Sequence, residues 1–255
     1  MDTIAIVGDF HGASSEKLEA FLKARHIKKL ICLGDFDTVE GILQFKDLEE
    51  RLTAAGGKVL KVPGNHDHAY LNDFEITSGD MRKLGKNFYQ LRAELFANQD
   101  AYNYLQELVE SPFGVRIHIA EGVSIYIVHG GIAGHIDSDI PAEYKALWYR
   151  LPVGFSDNKE QVLDTFNRME KKDCPEENLD VQLLIRGHDH QPIIRKRTEE
   201  GYDSKQPSEI TDEGLIIDPS KNPYIINPGA YRGGYLATLE VDPTKSQMTF
   251  RFHKV

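Results

Sequence analysis

The sequence predicts an α/β layered fold whose chemistry sits where the strands end. Three observations carry that prediction. Short apolar runs recur at Thr3–Val7, Lys29–Leu33, Lys58–Val62, Val123–Val128 and Val181–Ile185. Stretches of helical periodicity separate the first three. Each run leads into glycine beside Asp, Asn or His: Gly8-Asp9, Gly34-Asp35, Gly64-Asn65, His129-Gly130 and Gly187-His188. Strands alternating with helices build a parallel sheet, and open α/β sheets bind ligands at the carboxyl ends of their strands.

Taken in order, Thr3–Val7 reads as a buried strand ending in Gly8-Asp9-Phe10-His11-Gly12. Ser14 or Ser15 then caps a helix to about Ala24, with Leu18, Phe21 and Leu22 on one face. Lys29–Leu33 is the second strand, Leu43–Ala55 a helix closed by Gly56-Gly57, and Lys58–Val62 the third strand. Residues 70–112 turn to longer helical stretches rich in Tyr, Phe and Leu, which predicts a helical cap insertion. Val115–Ala120 and Val123–Val128 pair through the tight turn at Glu121-Gly122. Asn158–Lys172 reads as helix and Val181–Ile185 as strand. Residues 195–222 read as loop or hairpin, and a hairpin turning at Asp242-Pro243 ends the chain.

Composition narrows the class. With 255 residues, 40% hydrophobic and 27% charged, the chain has the makings of a real core, which excludes wholesale disorder and a disulfide-stapled miniprotein. Without internal repeat or linker, 1–255 is expected to be one domain. No apolar run reaches the ~20 residues of a membrane span, and MDTIAIVGDF lacks the form of a signal peptide, so a cytoplasmic protein is expected. The net charge of −10 repels phosphate backbones, so long nucleic acid is not an expected partner. A small phosphorylated or nucleotide substrate stays allowed, because a local cation overrides the global field. Cys32 reads as a buried thiol, and nothing pairs it with Cys174.

The strand-end clusters hold seven candidate metal ligands: Asp9, His11, Asp35, Asn65, His129, His188 and His190. On extended backbone Asp9 and His11 point the same way, as do His188 and His190, so each pair can reach one ion. Glycine before Asp9, Asp35, Asn65 and His188 permits sharp turns and close approach. Seven ligands exceed one tetrahedral ion and fit two ions bridged by a carboxylate. Mixed nitrogen and oxygen donors without thiolate favour manganese first, with iron, zinc, cobalt or nickel as alternatives. Two divalent ions facing two aspartates leave positive charge for an anionic substrate, which points to phosphoester hydrolysis.

These blocks, with Gly64-Asn65-His66-Asp67 complete, resemble the calcineurin-like metallophosphoesterase superfamily in order from residue 8 to 190. Asn227-Pro228-Gly229 is similar to its small prokaryotic members. The resemblance implies a two-sheet sandwich flanked by helices. By position it implies that Asp9, His11, Asp35 and His190 hold one metal, and Asp35, Asn65, His129 and His188 the other. It implies that His66 is catalytic, assisting the leaving oxygen. Phosphodiester or nucleotide-type substrates are expected first. A phosphomonoesterase or phosphoprotein phosphatase is the alternative, then a non-catalytic scaffold. The chain departs from the family where Thr38 stands three residues after Asp35; Asp37 and Asp67 are the candidates to orient His66 instead. Val62-Pro63 replaces the arginine of the protein-phosphatase branch. Arg150, Arg186 and Arg232 read as surface ion pairs or phosphate clamps. His68, His118 and His135 read as structural or surface residues, and His26 and His253 as exposed.

Overall fold

Strands buried on both faces explain why the apolar runs are continuous. In the first run Ala5 and Val7 face one core with Leu18 and Phe45. Ile4 and Ile6 face a second core with Ile125 and Leu183. Successive side chains alternate faces, so one strand serves two cores. The second run repeats this, with Leu30 and Cys32 on the first side and Ile31 and Leu33 on the other. Each fully buried Leu or Ile contributes about 1.5–3 kcal/mol relative to exposure.

The computed structural model describes residues 2–75, 84–120, 122–132, 145–153, 156–170 and 180–255. The first half holds β1 (Asp2–Val7), α1 (Glu16–Ala24), β2 (Lys29–Cys32), α2 (Val39–Ala54), β3 (Lys58–Lys61), α3 (Asn65–Asn72), α4 (Phe88–Ala97) and α5 (Gln99–Glu110). Next come β4 (Gly114–Ala120), β5 (Val123–Val128), α6 (Lys145–Trp148), β6 (Pro152–Val153), β7 (Ser156–Asp157) and α7 (Lys159–Glu170). The last part holds β8 (Leu183–Ile185), β9 (Ile193–Thr198), β10 (Gly201–Lys205), β11 (Leu215–Ile217), β12 (Tyr224–Asn227), β13 (Tyr235–Val241) and β14 (Met248–Lys254).

Two six-stranded sheets result, ordered β11-β14-β13-β1-β2-β3 and β10-β9-β12-β8-β5-β4. Each is mixed, with three parallel neighbours: β1, β2 and β3 in the first sheet, β5, β8 and β12 in the second. The terminal hairpin completes the first sheet, because β13 runs antiparallel to β1, with Ile4 opposite Leu239. The sheets pack face to face over the second core. Helices α1, α2, α4 and α5 cover the outer face of the first sheet. The outer face of the second is covered by α7, through Val162, Phe166 and Met169 against Leu184 and Ile225. This is the α/β sandwich that the resemblance implied.

Within 70–112 the described residues hold α4 and α5. Phe88, Leu91, Leu95, Leu105 and Leu108 share one core with α1 and α2. Of the two readings for residues 195–222, the hairpin holds at β9 and β10, with Arg197 opposite Tyr202. Strand β12 was not foreseen, yet it is a central strand of the second sheet. His253, expected exposed, is partly buried against Phe21, at 4.9 Å between rings. His135, Cys174, and the turn residue Glu121 lie outside the described residues. Among the described residues no helix is long and apolar enough to cross a membrane.

Candidate active site

The ends of β1 and β2 are built alike. After β1 come Asp9-Phe10-His11, and after β2 come Asp35-Phe36-Asp37. Phe10 and Phe36 turn down and stack at 5.0 Å over Phe45, which sends their polar neighbours up. The two loops are hydrogen-bonded side by side, Asp9 N to Gly34 O at 3.1 Å and His11 N to Asp35 O at 2.7 Å. The expectation of extended backbone is corrected here. Asp9, His11, Asp35 and Asp37 have φ of 55°, 44°, 63° and 64°, and His188 and His190 have 67° and 61°. Left-handed residues past the strand ends bring the pairs together, and strand alternation does not. Such backbone costs a non-glycine residue of order 1–3 kcal/mol and persists only where its surroundings impose it.

The glycines serve close approach. A Cβ on Gly64 would lie 2.0 Å from Asp35 Oδ1, and one on Gly187 would lie 2.6 Å from Asp9 Oδ2. Any larger residue would push the carboxylates out of place.

Every expected site residue reaches one buried cleft. Asp9, His11, Asp35 and His190 bring ligand atoms within 4.8 Å of one another, and Asp35, His129 and His188 do likewise. Asn65 joins the second group through Oδ1, 3.0 Å from His129 Nε2. His190, its side chain 31% exposed, marks the open side.

These residues fit a cation. Leu33 O can only accept, so the His129 Nδ1 at 2.6 Å carries a proton, and Nε2 faces the cleft, where it offers a lone pair to a cation whenever it is unprotonated. That nitrogen meets Asn65 Oδ1 and, at 3.3 Å, Asp35 Oδ2, which are also acceptors. His11 repeats the arrangement. Its Nδ1 donates to Asp37 Oδ2 at 2.7 Å, while its Nε2 lies 2.9 Å from His190 Nε2. Two nitrogens about 2.1 Å from one ion and at right angles to each other would stand about 3 Å apart. Asp9 Oδ2, Asp35 Oδ2 and His188 Nε2 are buried with no hydrogen-bond partner. Converging buried lone pairs are costly unless a proton or a metal ion joins them.

Electrostatics shows the same strain. Burial opposes ionisation of Asp35, yet the His129, His66 and His11 charges hold it well below the usual carboxylate range. Asp9 and Asp37 are also lowered against burial, Asp9 by His190 and His129, Asp37 by His66 and His11. Burial opposes protonation of His66, but Asp37 and Asp35 outweigh it and raise the imidazole to about 10. Asp35 and Asp9 raise His129 to about 9 in the same way. His188 goes down instead, through burial and the nearby Arg150 charge.

The partner of His66 is Asp37. Its Oδ1 accepts from His66 Nδ1 at 2.6 Å and from the Tyr70 hydroxyl at 3.1 Å. Asp67 is committed elsewhere: it accepts from the backbone N–H groups of Asp35, Phe36 and Gly64 at 2.8, 3.0 and 2.8 Å. Thr38 caps α2, accepting from Gly41 N. Tyr70 begins the stretch read as the helical cap and was not read as a partner of the site; its place four residues after His66 on α3 puts both on one helix face and could have singled it out.

Arg186 is neither a surface ion pair nor a phosphate clamp. It is fully buried and donates to Gly130 O, to Asp189 Oδ2, and to Tyr149 O at 2.7 Å. Arg150 is exposed and reaches His188 O at 3.2 Å. The backbone N–H of Arg232 donates to Asp9 O at 3.3 Å. His68 is buried beside Phe74 and Phe113, and His118 binds Ser124, so both are structural.

Two six-stranded sheets in an α/β sandwich, with a His/Asp/Asn cluster at the parallel strand ends, define the class of metallophosphoesterase-like proteins. The calcineurin-like phosphoesterase family model matches residues 2–192, and the chain belongs to that family. Its fold is similar to that of a metallophosphoesterase from Sphaerobacter thermophilus, at 19% identity and TM-score 0.60, over 99% of this chain and 88% of that one. A hypothetical protein of Pyrococcus horikoshii OT3 is similar at 15% identity and TM-score 0.53, over 100% of this chain and 88% of that one. No curated protein matches the chain.

Proposed function

We propose that the chain is a dinuclear metal-dependent hydrolase of phosphodiester or nucleotide-type phosphoesters. The observation that carries this is the pair of ligand groups sharing Asp35, buried except for His190, with three buried polar atoms that lack hydrogen-bond partners. Asp9, His11, Asp35 and His190 would hold one ion; Asp35, Asn65, His129 and His188 would hold the other. When bound, paired divalent ions polarise the phosphoryl group and lower the pKa of water. Manganese suits this donor set best, with iron, zinc, cobalt or nickel as alternatives.

The remaining steps belong to side chains. His11 and His129 are fixed as Nε2 donors by Asp37 and Leu33 O. His66 hands its Nδ1 proton to Asp37 as a hydrogen bond, so its other nitrogen is free to face the substrate. There it protonates the departing oxygen, and general acid catalysis of this kind contributes about 10²–10⁴-fold. Exposed Arg150 adds positive charge on the His188 side, which helps draw in an anion. A small substrate is favoured over long nucleic acid by the charge of −10.

The test is hydrolysis of bis(p-nitrophenyl) phosphate and p-nitrophenyl phosphate, with manganese and with chelator. Manganese-dependent turnover favouring the diester is expected. Preference for the monoester moves the assignment to a phosphatase, and no turnover with metal bound moves it to a scaffold.

A further inference from the structure

Asp37 has more to hold than a single histidine. Its Oδ2 accepts from His11 Nδ1, and its Oδ1 accepts from both His66 Nδ1 and the Tyr70 hydroxyl. One buried carboxylate therefore ties a candidate ligand of the first metal to the candidate leaving-group acid. With only the two imidazoles bound, the carboxylate can still rock about its Cβ–Cγ bond and carry both rings with it. The third donor restrains that motion.

Tyr70 is itself braced. It is buried; its ring stacks on Phe88 of α4 at 5.3 Å and 11°; its carbonyl accepts from Arg92 Nε at 2.8 Å. Tyr70 thus links Phe88 and Arg92 of α4 to Asp37. No other part of the reaction assigned above needs that hydroxyl, and a packing role alone would be met by phenylalanine.

We propose that Tyr70 is a positioning residue for the leaving-group acid: its hydroxyl locks Asp37, and Asp37 aims His66 at the departing oxygen. This rests on the phosphoesterase reading. The side chain lies outside both candidate ligand groups and acts through Asp37. Because His66 and Tyr70 share Oδ1 while His11 uses Oδ2, losing the hydroxyl disturbs His66 more than His11.

The test compares Tyr70→Phe with wild type on two manganese-activated substrates, an alkyl p-nitrophenyl phosphodiester releasing p-nitrophenolate and a dialkyl phosphodiester releasing an alkoxide. A good leaving group needs little protonation, and an alkoxide needs much. Tyr70→Phe should lower kcat about tenfold for the dialkyl ester with KM unchanged, and leave the p-nitrophenyl ester within about twofold. Leu91→Ala, a cavity in the same helical core, should leave the ratio of the two rates at the wild-type value. In the metal-free protein, proton NMR should show the low-field imidazole N–H signal of His66, identified by its loss in His66→Ala. That signal should shift in Tyr70→Phe while the His11 signal stays. Equal rates for both substrates and unmoved signals in Tyr70→Phe overturn the inference. So does a Leu91→Ala ratio that changes as much. A wild type that hydrolyses neither substrate sinks the phosphoesterase reading itself, and the inference with it.

Discussion

The two sheets contribute to the cleft in different ways. From the ends of β1, β2 and β3 come every carboxylate in it, Asp9, Asp35, Asp37 and Asp67, with His11, Asn65 and His66. From the ends of β5 and β8, among the described residues, come the imidazoles His129, His188 and His190, while Asp189 between the last two is paired with Arg186. Support differs in the same sense. The first sheet's residues are held by side chains: Asp37 on His11 and His66, Asp67 on three backbone N–H groups. The second sheet's turns are held by buried Arg186, by Asn227 Nδ2 donating to Gly187 O, by Asp9 Oδ1 accepting from His188 N, and by Gly187 N donating to His129 O. One side supplies the negative charge and the other supplies imidazole nitrogens. The first is therefore expected to govern whether cations bind, and the second how rigidly they are framed.

The largest effect should follow from removing charge where the two groups meet. Asp35→Asn should lower metal content at both centres and cut turnover by more than about 10³-fold, read by elemental analysis after dialysis and by diester hydrolysis. Retention of one full equivalent would show that the groups do not share Asp35. His66→Ala separates chemistry from charge. Metal content should stay at the wild-type level while turnover of an alkoxide ester falls about 10²–10⁴-fold.

The metal-free protein tests the same asymmetry through pH. His66 and His129 face the first sheet's carboxylates and have folded pKa values of about 10 and 9, above the ordinary 6.5. The folded state therefore binds more protons than the unfolded one above pH 6.5. Their contribution to stability is complete below that pH and is lost as pH rises through 9 to 10. Urea unfolding of chelated protein should show that alkaline loss. With manganese the loss should shrink, because the cation takes the place of the protons. An identical alkaline slope with and without metal would break the link between these histidines and the cation.

Much of this was legible in the chain. Strands sandwiched between two cores read as unbroken apolar runs, and their polar ends stood out because Asp, Asn and His are costly beside such runs without a role. What escaped depended on partners distant in sequence. β12 is only Tyr224–Asn227, set after a polar stretch, and its strand character comes from pairing with β8 and β9. Arg186 looked like a surface residue because two of its three acceptors, Gly130 O and Tyr149 O, lie far away in sequence. The choice between Asp37 and Asp67 was open in sequence, although the matched Asp-Phe-His and Asp-Phe-Asp triplets already put residue 37 level with His11.

Arg186 offers the test of the second sheet's framing. Arg186→Met removes three donors and leaves Asp189 buried beside a neutral side chain. Breaking a buried pair in this way costs about 3–5 kcal/mol, to be read from urea unfolding. If the arginine frames the imidazoles, manganese affinity should fall as well, although Arg186 lies outside both ligand groups. A loss of stability with unaltered affinity would assign the framing to Asn227, Asp9 and the backbone.

The smallest effect is expected at Thr38, and it sharpens the contrast within the first sheet. Family members often place at this position the residue that orients the catalytic histidine. Here the Thr38 side chain accepts from Gly41 N at 3.1 Å and caps α2, while Asp37 orients His66. Capping α2 and holding His66 thus fall to adjacent residues. Thr38→Ala should therefore cost about 1 kcal/mol of stability, the ordinary value of an N-cap, and leave the ratio of alkoxide to p-nitrophenolate ester hydrolysis unchanged. Asp37→Asn should do the reverse, lowering that ratio. If Thr38→Ala lowered it too, the division of labour read from these hydrogen bonds would be wrong, and α2 itself would have to be part of what aims His66.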